Sequence, residues 1–292
     1  MNLENVNSQE RKICFCTLAL GEKYCKFAMD LAQDLEKYSP DKQLLILTDK
    51  PSFFQYQKNV VTFKHQPRSV YKFYDKIYVI EKALSIFESC VFLDSDVRIV
   101  DRVPQDLEVL PGITADSCFS IHKLYNNMCK KGETADRNWE ITSAVANKLN
   151  INLDDVKFVW EYLFLIKKSS QTEEFIQLWK KIGSFLELNG RTYGSEGEAM
   201  GLAAAKLNIP VNYDYAKQIP FFKKRVEVYK ISQGKAKRED KLSYLERYYK
   251  LKYPQKHIVY KALDRVQGKV GVFIRSLRLK LETLRDFDFY YR

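Results

Sequence analysis

Short apolar runs alternate along the chain with stretches in which apolar positions recur every three or four residues. Residues 12–21, KICFCTLALG, form an apolar run of strand length. They lead into EKYCKFAMDLAQDLEKYSP, where Tyr24, Phe27, Ala28, Leu31, Leu35 and Tyr38 keep helical spacing until Pro40 stops it. QLLILTD, ending in Asp49, and NVVTFK predict two further strands, and a helix over residues 77–87 leads into CVFLDSDVRIV, residues 90–100. CFSIHKL then predicts a strand, YNNMCKKGETADRNWE a polar loop and FVWEYLFLIKKS one strand. TEEFIQLWKKIGSFLEL predicts an amphipathic helix, and an alanine-rich helix starts near Glu196 and stops before Pro210. Strand, helix and strand repeated in this way predict an α/β fold, a mostly parallel sheet with helices on both faces.

The 292 residues, 46% hydrophobic and 29% charged, are ordinary globular material rather than a disordered or fibrous chain. The opening MNLENVNSQE lacks the basic start and apolar stretch of a secretory signal, and no apolar run approaches the ~20 residues that cross a bilayer. Cys14, Cys16, Cys25, Cys90, Cys118 and Cys129 are scattered, several inside apolar runs. They are expected to be reduced, structural thiols of a cytoplasmic protein. Cys14 and Cys16 have no second cysteine pair with which to complete a zinc site.

Charge is unevenly placed. Residues 223–292 hold 20 Lys and Arg against 8 Asp and Glu, whereas the remainder is almost neutral. The chain therefore divides into a body, residues 1–222, and a basic helical extension, residues 223–292, whose attraction for an acidic partner is expected to be separate from the body.

Asp94 and Asp96 interrupt the apolar run of CVFLDSDVRIV. On a strand, residues two apart share a side, so the two carboxylates face one space with Ser95 turned away. Open parallel sheets bind ligands at the carboxyl ends of their strands, which is where this pair falls. Two like charges so close need a shared cation. Mg2+ or Mn2+, completed by water and substrate phosphates, would supply it. The other reading of such a pair is a cap on the turn after a strand. Haloacid-dehalogenase-type phosphatases also place D-x-D after an apolar strand, but here Val97 and Arg98 follow instead of their Gly and Thr or Val.

Residues 13–38, KIYVIEKALSIFESCVFLDSDVRIV and SEGEAM ahead of an alanine-rich helix together resemble GT-A fold glycosyltransferases, the kind that includes glycogenin and the lipopolysaccharide hexosyltransferases. The resemblance spans residues 12–211. It implies a Rossmann-like, mostly parallel sheet and transfer of a sugar from a nucleotide donor, a UDP-sugar, to a hydroxyl of a glycan or lipid acceptor. By the same resemblance Asp94 and Asp96 bind Mn2+ or Mg2+ and the donor diphosphate, with Ser95 between them, while Thr17, Leu18 and Ala19 cradle base and ribose. Lys76, at the start of a helix, either contacts the donor or is a solvated helix start. Asp49 either meets base or ribose or caps a turn. Glu196 and Glu198 stand where the family's acidic segment meets the transferred sugar or acceptor, although Gly197 replaces an amide there. A backbone run this rich in glycine suits close approach to a ligand. Trp160 with Glu161 either forms a platform for a sugar ring or packs in the core. Of His65, His122 and His257, none is assigned as a third metal ligand.

From Val259 to Leu284 apolar residues recur at steps of three and four among Lys and Arg. Such a basic amphipathic helix suits an anionic membrane surface, at the inner face of a cytoplasmic membrane, or it packs on the body or a second chain. No nucleic-acid module accompanies it. The sequence thus points to a metal-dependent glycosyltransferase. The alternative is a non-catalytic α/β binding protein recruited to membrane or nucleic acid by its tail.

Overall fold

The apolar runs near the amino terminus become the parallel half of a seven-stranded sheet. The computed structural model describes residues 12–129, 135–192, 195–213, 215–223, 238–253 and 258–292. β1 (Ile13–Ala19), α1 (Glu22–Tyr38), β2 (Leu44–Thr48), β3 (Val60–Lys64), α2 (Lys76–Leu84) and β4 (Ser89–Leu93) come first. β5 (Arg98–Ile99), β6 (Gly112–Ala115), β7 (Cys118–Ser120), α3 (Ile121–Cys129), α4 (Ala135–Lys148), β8 (Lys157–Val159) and β9 (Leu163–Lys167) follow. Then come α5 (Thr172–Leu188), α6 (Ser195–Lys206), β10 (Val211–Asn212), β11 (Phe221–Phe222), α7 (Arg238–Lys252), α8 (Ile258–Thr283) and α9 (Phe287–Tyr291).

The sheet order is β10-β6-β9-β4-β1-β2-β3, with β9 antiparallel to both of its neighbours and every other pair parallel. Strand alternation sorts the core into two layers. Phe15 and Ala19 face α1, whose Ala28, Leu31 and Leu35 cover them. Cys14, Cys16 and Cys90 face the opposite layer with residues of α2, α5 and α6. The expectation of structural thiols fits this burial, which pushes the Cys14 and Cys16 thiols well above their usual range.

Three expectations are corrected. CVFLDSDVRIV is not one strand: β4 ends at Leu93, a turn carries the aspartates, and β5 leaves the main sheet to pair with β11. CFSIHKL is strand only through Ser120, and the polar run after it is largely helical. The Tyr125 and Trp139 rings meet edge-on at 5.0 Å and tie α3 to α4, an apolar contact hidden by the polar composition around it. FVWEYLFLIKKS is two strands, β8 and β9, because residues 160–162 turn between them.

Glycine in α6 serves packing. A Cβ on Gly197 would overlap the Val159 carbonyl, and one on Gly201 would overlap that of Lys157, so the two glycines, one turn apart, seat the helix against β8. The backbone approach expected toward a ligand is therefore an approach to a strand. Gly201→Ala is expected to lower stability by about 1–3 kcal/mol in denaturant unfolding, since backbone on both sides must move.

At the end of α5, buried Glu187 accepts hydrogen bonds from the backbone N–H of Tyr71, at 2.7 Å, and of Val70. Burial, with Asp75 adding to it, pushes its carboxyl from an ordinary 4.5 up to about 7, against the pull of those donors. The folded state thus holds this proton more tightly than the unfolded chain. The contribution favours folding at pH below about 4 and is lost as pH rises through about 7, a change on the order of 3 kcal/mol. Glu187→Gln should flatten the stability profile in that window, as measured by urea unfolding at successive pH values.

Candidate active site

The strand order reverses between β1 and β4, and the carboxyl ends of these two strands open into a cavity of ≈ 1000 Å³. Leu18 lines it from β1, Lys76 from the start of α2, and Asp94, Ser95 and Asp96 from the turn after β4. Trp160 and Glu161 reach it from between β8 and β9, Glu196 from the first turn of α6, and Lys223 from beyond β11.

The backbone fixes the aspartates. The Asp94 N–H donates to the Tyr162 carbonyl at 2.9 Å, and the Asp94 carbonyl accepts from the Val97 N–H at 2.9 Å, closing the turn. Their carboxylates still face one space, through turn geometry rather than strand alternation, and Ser95 lines that space instead of turning away. The Lys223 ammonium ion-pairs with Asp94 and lies 3.0 Å from Asp96 Oδ1. Lys76 Nζ is 2.9 Å from Asp94 Oδ1 and 3.5 Å from Glu196 Oε1. Burial pushes the Asp94 carboxyl up, but Lys223 and then Lys76 overcome it and hold it at about 2. Burial likewise works against both ammonium groups, and the acids reverse this, so Lys76 and Lys223 each sit above the usual lysine range. The like charges are tolerated because two lysines share them.

The two glutamates of α6 part company. Glu196 is buried, and its Oε2 has no hydrogen-bond partner. Burial first, then the neighbouring Glu161 carboxylate, pushes it well above the usual range, with Lys76 opposing. Glu198, two positions on and so across the helix, does not line the cavity. Its carboxylate is taken by the Arg191 guanidinium and by the hydroxyls of Thr142 and Tyr125, the last at 3.0 Å. Arg191 does line the cavity, and its Nη1 is buried without a partner. Glu198 therefore holds Arg191 in place, and the expected acidic pair reduces to one residue facing the cavity.

The remaining candidates separate in the same way. Alternation turns Thr17 and Ala19 away from Leu18. Neither lines the cavity, and the Ala19 carbonyl accepts from the Cys25 thiol at 3.6 Å. Asp49 does not line the cavity; its Oδ1 accepts from the Gly21 N–H at 2.9 Å, a link from the end of β2 to the residue before α1. His65 bonds Asp75 at 2.8 Å, His122 bonds Asp154 at 3.0 Å, and His257 lies outside the described residues. Among the described residues no three His, Cys, Asp or Glu side chains gather as a metal cluster.

Lys223 and Arg191 were missed in the sequence. Lys223 is one of two adjacent lysines in a basic run, far along the chain from Asp94, and nothing local distinguishes it. Together with Tyr248 and Lys252 of α7, which also line the cavity, it shows that the basic extension is not separate from the body. Arg191 follows a helix end, where a basic residue needs no further explanation.

No protein-family model matches the chain, and no curated protein does. Among solved structures 192 chains match. One is the WbbM bifunctional glycosyltransferase in its apo form, 10% identical, with 72% of this chain covered and a TM-score of 0.45. This chain spans 40% of that protein's length.

Removing the Glu198 carboxylate strands a buried guanidinium. Glu198→Ala should cost about 3–5 kcal/mol in chemical denaturation, the loss that accompanies an ion pair broken inside a protein.

Proposed function

We propose that the chain is a glycosyltransferase that takes a sugar from a nucleoside diphosphate donor, a UDP-sugar, and passes it to an acceptor hydroxyl. One observation carries this reading: Asp94, Asp96, Lys76, Lys223 and Glu196 converge in one cavity at the point where strand order reverses, the place at which open α/β sheets bind nucleotides. GT-A enzymes, which the sequence resembles, place their D-x-D acids at such a point.

The donor set fits a divalent cation. Both aspartates already reach a single positive charge, the Lys223 ammonium, and Mg2+ or Mn2+ beside a diphosphate is commonly bound by one or two carboxylates plus phosphate and water oxygens. Such a cation, when bound, would supply charge neutralisation on the leaving diphosphate. The chain's own groups do the rest. Leu18 offers an apolar wall for the base, and Ser95 lines the diphosphate corner. Lys76 and Lys223 bring positive charge to the side where the leaving group becomes more anionic. Trp160 presents a ring to the sugar, and the Arg191 guanidinium, held by Glu198, lines the same cavity. Glu196, whose raised affinity for a proton suits it to take one, accepts the proton of the attacking hydroxyl or orients the sugar. Glu198 acts through Arg191, which it positions.

With a UDP-sugar and Mn2+, donor turnover should fall about 100-fold or more in Asp94→Asn and in Glu196→Gln, and Asp94→Asn should also lower the thermal unfolding midpoint, because it takes a charge from the network that holds Lys76 and Lys223. Turnover that survives Asp94→Asn in a folded variant rejects the assignment.

A further inference from the structure

α8 is 26 residues long, and its described contacts with the body lie along one side. Leu279 and Thr283 are buried there, and Arg275 Nε donates to the Val70 carbonyl at 3.1 Å. Beyond the helix end, Phe289 packs edge-on against Phe185 at 5.7 Å. On the opposite side Leu263, Val266, Val270, Phe273, Leu277 and Leu281 repeat at steps of three and four and remain between 51% and 70% exposed. Of the places the sequence offers this stripe, a membrane surface, the body or a second chain, the body is thus not the one it takes. The contact with the body uses the other side of the helix.

The borders of the stripe decide what covers it. By helical position exposed Lys269 and Lys280 run along one border and exposed Arg278 along the other. Glu282 sits further round, ion-paired to Arg278 at 2.9 Å. A second copy of the helix would bring basic border against basic border, which opposes pairing. An anionic lipid surface meets both needs at once: apolar side chains enter the acyl boundary while the lysine and arginine heads stay at the phosphates. No helix among the described residues is long and apolar enough to cross a membrane, so α8 has the length and pattern of a helix lying in the interface plane.

We propose that this face of α8 docks the protein on an anionic bilayer, an inference that does not depend on the sugar-transfer reading. Val70, which accepts from Arg275, precedes Lys72 and Phe73 of the cavity wall, so the docked helix lies between that wall and the lipid.

Flotation of the full chain with vesicles tests this, using phosphatidylcholine alone and phosphatidylcholine mixed with phosphatidylglycerol. Binding is expected only to the mixed vesicles and should weaken as salt rises. The double variant Phe273→Glu, Leu277→Glu should bind at least tenfold more weakly, and Lys269→Glu, Lys280→Glu at least tenfold as well, since each basic residue near the surface contributes about fivefold. These side chains are exposed, so circular dichroism and the unfolding midpoint should not change. Equal flotation by the stripe variant, or equal binding to both vesicle types, overturns the proposal. So does a chain that ignores vesicles and runs as a dimer by light scattering until Phe273→Glu makes it monomeric, because the stripe is then the seam between two copies.

Discussion

Two carboxylates held side by side at the mouth of a sheet repel each other and resist removal from water, and the arrangement of the whole site follows from how that cost is met. Lys76 and Lys223 both reach Asp94 from distant parts of the sequence, one from the first residue of α2 and the other from just past β11, and Lys223 reaches Asp96 as well. Each ammonium would be unfavourable in the cavity wall by itself, as would each aspartate. Together they form a network whose members depend on one another. A network of this kind gains nothing over apolar packing in stability alone. It makes sense where its positive charge can be offered to an arriving anion, as the proposed nucleoside diphosphate would be.

The same logic explains why the two glutamates of α6 differ. Gly197 and Gly201 draw the helix against β8, and that close seat leaves Glu196 facing the cavity and Glu198 facing α3 and α4. Glu198 is satisfied on every side and orients Arg191. Glu196 faces the cavity beside Lys76 and keeps an oxygen without a partner. Packing thus selects the residue that is presented to the ligand.

Much of this was legible in the sequence because it is written locally. β1, α1, β2, β3 and α5 announce themselves through unbroken apolar runs or helical spacing, and Asp94 and Asp96 through their place at the end of such a run. The D-x-D turn was misread as strand because Val97, Ile99 and Val100 prolong the apolar pattern, although their partners belong to β11 and the layer around α1. The helices after β7 were hidden by polar residues whose few aromatic members, Tyr125 and Trp139, carry the packing. Lys223 and Arg191 were illegible for a different reason. Their roles exist only through contacts made across long separations, with Asp94 and Asp96 in one case and with the cavity in the other. A single sequence holds no periodicity that reports such contacts.

The most direct measurement is an anomalous-scattering map from crystals grown with Mn2+ and a UDP-sugar. The account predicts a manganese peak between Asp94, Asp96 and the diphosphate, with the Lys223 ammonium moved off the aspartates and onto phosphate oxygens. A map in which Lys223 still bridges both acids, no peak lies beside them and the nucleotide is bound elsewhere contradicts it.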